Sequence, residues 1–469
     1  MLLRQLLASI AFIAAAALVA AESASTAQLN GLPDRHGGCM SRPTGSALSL
    51  SDAIELALCN NPRTQKAWAS AVAAVDELRI NQGDYLPTLT ANGTIGPSRV
   101  ITETAAAAFD SDIRSNTQSG GLDFSLTLLD FGRRKANVER ARQLLTAANA
   151  SRDLTLIDVF LDTAQAYYDT LDAEALLQAS QRSEGISEKS LEVAAGRHRG
   201  GTAAITDQLQ AETAHLQDKA RRIAAQSGAA TARGVLAVTL GLDANTAFTL
   251  STNPSESPKA LALDPPDKLL AEAKANNPQI TEARARYLAA HAAVNLAVAR
   301  RFPTVTLRAA YNTSDYSLTG SNTFGITDAP RDRTLSNASV QLRISVPLFD
   351  GFVTAHAIHE ARADAEVSRT DLEAAEQQVT LNVWRAYQQV TVQGENIEVT
   401  KEILRVASES LRASETRYRL GSGNIIEVLN AQTALAMAER QRIDTLSNWR
   451  TARLRLVAAL GHLGMWAIE

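Results

Sequence analysis

Few residues in this chain have the types and spacing for chemistry. His356-x-x-His359-Glu360 would set two imidazoles and a carboxylate on neighbouring helical turns, the donor types that hold zinc. The zinc-protease arrangement needs the glutamate between its two histidines, and here it follows them. The segment therefore reads as a solvated helix face, and no metal or other cofactor is expected. Gly421-Ser422-Gly423 could offer backbone N–H groups to a phosphate, but it lacks the further glycine and the preceding strand of a nucleotide loop. Asp162 and Asp169 lie seven residues apart on a charged helix face, where no cleft would bring them together as acid and base. No nucleophile–base constellation occurs, so an enzyme is not expected.

The two cysteines, Cys39 and Cys59, depend on the compartment. Met1–Ala21 carries one early cation, Arg4, then an apolar run from Leu6 to Ala21 that ends at Val19-Ala20-Ala21 before Glu22. This reads as a secretory signal peptide rather than an anchor helix, because the run is short and rich in alanine. In an oxidising compartment a Cys39–Cys59 disulfide is expected. Its short loop would stabilise the fold by about 3 kcal/mol in the chain-entropy model.

Composition narrows the remaining possibilities. The 469 residues are 45% hydrophobic and 20% charged, with a formal net charge of −4. Such values exclude a helical membrane protein, and no stretch after the leader approaches the roughly 20 apolar residues of a spanning helix. The weak negative charge provides no field for nucleic acid. Aromatic residues make up only 5% while alanine is abundant, a bias that suits closely packed helices.

The elements that position everything else come as a tandem repeat. Asn60-Asn61-Pro62 recurs as Asn276-Asn277-Pro278 and Tyr85-Leu86-Pro87-Thr88 as Arg301-Phe302-Pro303-Thr304, both 216 residues on. Asp207 to Thr213 answers to Glu427 to Thr433, and Leu240-Gly241 to Leu460-Gly461, both 220 on. In each half a short helix comes first, opened here by a Ser49/Asp52 capping box and stopped at the Asn-Asn-Pro. A second helix then starts with its proline at the first position.

Two strand-like segments follow in each half. Leu122, Phe124, Leu126 and Leu128 alternate with Asp123, Ser125 and Thr127, and Val340, Leu342, Ile344 and Val346 with Gln341, Arg343 and Ser345. Val305, Leu307, Ala309 and Tyr311 repeat the pattern. Period two over about 10 residues suits a soluble half-buried sheet or a membrane barrel strand with a wet lumen. The rest is helix, with no proline from Ser98 to Asn253 or from Leu348 onward. Leu154, Ile157, Leu161, Ala164, Tyr168, Leu171 and Ala175 step by three and four, as do Val379, Val383, Ala386, Val390 and Ile397. A helix from Gly132 to Arg199 would be about 100 Å long. Gly200-Gly201 and Gly421-Ser422-Gly423 turn these helices back as hairpins.

In this arrangement the chain resembles the TolC family of outer-membrane exit ducts (outer membrane factors), most like those serving type I secretion. The resemblance rests on the two-fold repeat and on Ser51-Asp52-Ala53-Ile54-Glu55-Leu56-Ala57 leading to Asn61-Pro62. It rests further on Tyr85-Leu86-Pro87, Pro347-Leu348-Phe349-Asp350-Gly351 and Arg417-Tyr418-Arg419-Leu420-Gly421. It implies a membrane α+β fold, a trimeric 12-stranded β-barrel with four strands per protomer, continuous with a long α-helical coiled-coil periplasmic barrel. Closing the barrel leaves no unpaired sheet edge in lipid, and four strands cannot close alone. The expected map is a signal peptide at 1–21, a periplasmic arm at 22–48, a first repeat at 49–250, a linker at 251–266, a second repeat at 267–462 and a tail at 463–469. The first repeat holds strands at about 86–105 and 118–130 and a helical hairpin at 132–241; the second holds strands at about 302–318 and 335–348 and a hairpin at 351–461.

The implied function is passive export, for type I protein secretion or drug and small-molecule efflux, through a duct gated at its periplasmic tip. A periplasmic adaptor and an inner-membrane ABC or RND transporter would recruit it, and outer-membrane lipid would surround its strands. The family's docking positions fall on Gly200, Gly201 and Thr202 and on Leu420, Gly421 and Ser422. Asp207 and Tyr418 match positions of the hydrogen-bonded closure. The family arginine of that network falls on Gly423, so the closure would be weaker or rebuilt through Arg417 or Arg419. Glu427 falls on the first acidic position of the selectivity ring and Asn430 on the second, so a cation preference reduced by the missing carboxylate is expected. An exported coiled-coil scaffold or adhesin with a soluble sheet is the alternative.

Overall fold

The structure is a computed structural model and describes residues 47–102, 111–251, 264–322 and 331–461. The signal peptide, Cys39, most of the 251–266 linker and the 463–469 tail lie outside these residues. Helices α1 (Leu50–Asn60) and α2 (Pro62–Gly83) lead to strands β1 (Thr88–Thr102) and β2 (Ser111–Leu129), then helices α3 (Arg133–Arg199) and α4 (Ile205–Thr239). The second half runs α5 (Pro266–Asn276), α6 (Pro278–Ala299), β3 (Thr304–Asn322), β4 (Arg331–Ser345), α7 (Val353–Arg419) and α8 (Ile425–Ala459). Helices α3 and α7 each have 67 residues, and α4 and α8 each have 35. Among the described residues no helix is long and apolar enough to cross a membrane.

Two compact units form, and both halves of the sequence contribute to each. The first comprises, among the described residues, 74–102, 111–145, 286–322 and 331–368, with the four described strands. These pair antiparallel in the order β1-β2-β3-β4. The pairing fixes which residues share a face, because directly opposed residues point the same way. Leu89, Phe124, Ala309 and Val340 form one row across the sheet, flanked by Ala91, Leu122, Tyr311 and Ala338 and by Leu126, Leu307 and Leu342. The opposite face carries Thr90, Asp123, Ala310 and Ser339, then Thr88, Ser125, Arg308 and Gln341, then Thr127, Thr306 and Arg343.

The strands extend past the apolar alternation. β2 begins at Ser111, ahead of position 118, because its first residues (Ser111 to Gln118) are polar apart from Ile113 and carry no period-two signal. β4 begins at Arg331 for the same reason. Below β2 and β4 the chain turns on Phe131 (φ 51°) with Gly132 (φ 93°), and on Gly351 (φ 66°) with Phe352 (φ 67°). Asp130 holds the first turn by accepting from the backbone N–H of Arg134 at 2.9 Å and from its side-chain Nε at 2.8 Å.

The second unit comprises, among the described residues, 47–73, 146–251, 264–285 and 369–461. Its helix contacts include many small residues: Ala53, Ala57, Ala164, Ala194, Ala211 and Ala237 are completely buried. That accounts for the alanine content, since small side chains let backbones approach. Ser49 caps α1 reciprocally with Asp52, as the sequence pattern indicates. Each Asn-Asn-Pro joint fastens two helices at once. Asn61 Oδ1 accepts from Arg63 N (2.9 Å) at the start of α2, while its Nδ2 donates to Thr239 O (3.0 Å) at the end of α4. Asn277 does the same with Gln279 N (2.8 Å) and Ala459 O (2.9 Å). Gly241 (φ 76°) lies against the Asn60 carbonyl, where a Cβ would come within 2.7 Å.

Candidate functional site

Within the sheet-bearing unit, the apolar face is uncovered. Leu89, Val340, Leu342 and Ile344 are each about 60% exposed. At the foot of the strands Tyr85, Phe131, Phe302, Phe349 and Phe352 are also exposed. Phe131 stacks on Phe302 at 5.7 Å, and the Arg134 guanidinium sits 4.6 Å from the centre of the Tyr85 ring. An apolar band bordered by aromatic rings, backed by a polar face with Arg308 and Arg343, is the pattern of a barrel strand between lipid and water. The separated positions of these aromatics hide the girdle in the sequence; the paired Asp-Phe-Gly and Phe-Asp-Gly-Phe turns are the signal that could have revealed it.

Within the helical unit, both hairpins end in the same turn. Gly201 (φ 72°) donates to His198 O at 3.0 Å and Thr202 N to Arg197 O at 2.9 Å; Gly421 (φ 83°) donates to Tyr418 O at 3.1 Å and Ser422 N to Arg417 O at 3.0 Å. These paired bonds are Schellman motifs, which need a left-handed residue after the helix and so a glycine. Gly200, Gly201, Thr202, Leu420, Gly421 and Ser422 are all exposed, with the Leu420 side chain standing 77% in the open. The return helices start differently: Asn424 Oδ1 accepts from Ile426 N at 3.0 Å, whereas Ala204 offers α4 no side-chain cap.

Of the residues singled out from the sequence, the structure brings Asp207 and Tyr418 together across the hairpins. The Tyr418 hydroxyl donates to Asp207 Oδ2 at 3.5 Å, a long bond. The Tyr418 ring is 4% exposed and packs among Ala194, Ala211, Leu411, Ile425 and Val428. Burial, joined by the Asp207 charge, raises its hydroxyl pKa against the opposing effect of Arg197. Arg417 turns to its own hairpin, pairing with Glu427 at 3.3 Å and donating to Ser422 O at 3.4 Å. Arg419 and Asn430 stand exposed outside this cluster, Asn430 beside a groove of about 440 Å³ lined also by Thr206, Leu209 and Thr433. At Gly423 a Cβ would sit 3.0 Å from Tyr418 N and from Arg417 Cβ, so the turn is closed tightly against a side chain.

The sequence reading missed Arg197. Its guanidinium lies over the Tyr418 ring, 4.6 Å from the centre, and donates to the Tyr418 carbonyl and to Thr202 O (3.3 Å). A further inter-hairpin bond runs from Gln432 Nε2 to Ser190 Oγ at 2.6 Å. His356 and His359 remain an exposed or half-exposed pair on α7 with ring centres 6.5 Å apart, and no cluster of metal-ligating side chains exists among the described residues. Cys59 sits near the end of α1, while its expected partner Cys39 lies outside the described residues.

The profile of the family described as "Outer membrane efflux protein" matches residues 53–242 and 269–462. The chain is similar to Protein CyaE of Bordetella pertussis, 28% identical over 424 residues covering 90% of this chain and 86% of that protein. It is similar also to the outer membrane protein TolC of Escherichia coli, 26% identical over 420 residues, 89% and 83% of the two chains. Its backbone superposes on the outer membrane protein VceC of Vibrio cholerae with a TM-score of 0.73 at 21% identity, over 88% of this chain and 96% of that one.

Proposed function

The chain belongs to the outer membrane efflux protein family, and on that premise we propose how its parts make a duct. It is an outer-membrane efflux or secretion channel, not an enzyme. The scaffold or adhesin reading finds no support among its relatives. In our reading three copies close a 12-stranded barrel with four strands from each, the two halves of each chain being tandem structural repeats. The long hairpins line an α-helical tunnel in the periplasm.

The observation that carries this reading is the uncovered apolar face of the sheet. Leu89, Phe124, Val340 and Leu342 in water would be a large aggregation-prone patch; against lipid they are satisfied. The edges at β1 and β4 need partners for the same reason, since an unpaired N–H or C=O in hydrocarbon costs several kcal/mol. A trimer supplies them without a further strand. In the helical unit, the tips with Gly200, Gly201 and Thr202 and with Leu420, Gly421 and Ser422 offer exposed backbone and one apolar side chain to a periplasmic adaptor. The adaptor in turn joins the duct to an inner-membrane transporter of the ABC or RND class, with type I protein secretion or drug and small-molecule efflux as the service.

Near the mouth, Glu427 is paired with Arg417, so three copies contribute nearly balanced charge. This moderates the cation preference that Glu427 alone would give. Detergent extraction of outer membranes followed by light scattering tests the assembly. A trimer that needs detergent to stay in solution is expected; a monodisperse monomer in detergent-free buffer would refute it.

A further inference from the structure

Arg197 belongs to the last turn of α3, yet most of its guanidinium is engaged by the other hairpin. One amino group donates to the backbone carbonyl of Tyr418, and the plane of the group lies over the Tyr418 ring at 4.6 Å. The other amino group donates to Thr202 O at 3.3 Å, which ties the fork to the turn of its own hairpin. Tyr418 is thus held at its ring face and its carbonyl by one side chain. The third contact, its hydroxyl to Asp207 Oδ2, is long at 3.5 Å. The ring under the guanidinium is almost fully buried, which strengthens an attraction that water would otherwise weaken.

We propose that Arg197 is the residue that latches the two hairpin tips together, and that this contact, rather than the Tyr418–Asp207 hydrogen bond, holds the mouth of the duct in its resting arrangement. The proposal rests on the duct reading above. Its chemistry explains how the tip is secured with glycine at 423. A planar fork can stack and donate in two directions at once, which a lysine ammonium cannot. The contact also sits beside Gly421, whose added Cβ would lie 3.8 Å from the Arg197 amino group, so adaptor pressing on that turn would press on the latch.

The test compares Arg197→Ala, Arg197→Lys and Tyr418→Phe with the unaltered protein, each as a detergent-extracted trimer. Two readouts are taken: single-channel conductance in planar bilayers, and hydrogen exchange of backbone amides over 197–207 and 417–427. Arg197→Ala should raise the open-to-closed ratio roughly tenfold and speed exchange at both tips, since a stacked cation and a charged hydrogen bond are lost. Arg197→Lys should fall between. Tyr418→Phe keeps the ring and the carbonyl and should stay near the unaltered protein. Wild-type conductance and exchange in a folded Arg197→Ala trimer would overturn the latch. So would a Tyr418→Phe variant that opens as far as Arg197→Ala. If every variant shows its expected exchange but none conducts, the latch contact stands as a contact and the duct reading fails instead.

Discussion

Asn61 offers the sharpest perturbation of the helical unit, because one side chain performs two opposite tasks. Its Oδ1 caps α2 through Arg63 N at 2.9 Å, and its Nδ2 satisfies the Thr239 carbonyl of α4 at 3.0 Å. The residue is 8% exposed, so water does not replace either bond. Asn61→Ala loses an N-cap, roughly 1 kcal/mol, and removes the donor from the carbonyl of half-buried Thr239, about 1 kcal/mol more. Asn61→Asp is more informative. Aspartate caps a helix start as well as asparagine does, but it has no donor and sets a carboxylate against a carbonyl at the negative end of α4. At neutral pH it should therefore destabilise at least as much as alanine. Protonation restores a donor, so the introduced carboxyl has a raised pKa in the folded state and the lost stability returns as pH falls. Thermal unfolding of the detergent trimer, followed by helix circular dichroism at neutral and mildly acidic pH, measures both effects. An Asn61→Asp midpoint equal to the unaltered protein at neutral pH would refute the two-way role. Asn277→Asp, facing Ala459 O, should behave as its twin.

Other expectations follow from named contacts. Glu427→Gln leaves Arg417 without its 3.3 Å partner and should shift the reversal potential toward anions, while Arg417→Gln should shift it toward cations; unchanged potentials in both would remove the pair from the conduction path. Asp172 on α3 is pushed up to about 6, chiefly by burial, with the Asp169 and Asp444 charges adding to this and Ser447 and Arg450 opposing it. Its folded value exceeds the ordinary 3.8, so the folded state holds more proton between the two, and stability declines as pH rises through that window before levelling. Asp172→Asn should flatten the decline and add no more than about 3 kcal/mol near neutrality; a pH slope like that of the unaltered protein would count against it. Peptide mass spectrometry without reduction should recover Cys39 linked to Cys59, and free thiols at both would end that pairing.

Much of the fold is legible because its signals are periodic. The hairpins announce themselves through proline-free seams bracketed by glycine pairs, and the lower strands through alternation at Leu122–Leu128 and Val340–Val346. The far ends of the strands are silent, since Ser111 to Gln118 holds one apolar residue, Ile113, and no alternation. Bulk composition conceals the membrane-facing surface altogether, for only about 40 of 469 residues need meet lipid. The tip contacts are harder still. Asp207 and Tyr418 lie 211 residues apart, and only the family resemblance joins them on paper. Arg197 has no motif of its own, and its role depends on where two separate turns bring a ring and a carbonyl. The exposed aromatics at the strand ends fail to register because Tyr85, Phe131 and Phe302 lie far apart along the chain, and Phe131 meets Phe302 only once the strands pair.

Planar-bilayer recording of the purified trimer tests the central claim most directly. Inserted into a lipid bilayer, it should give discrete single-channel steps, small in the resting arrangement and larger when the Arg197 contact is broken. A folded trimer that inserts and yet passes no ionic current, whether intact or with Arg197→Ala, would contradict the account.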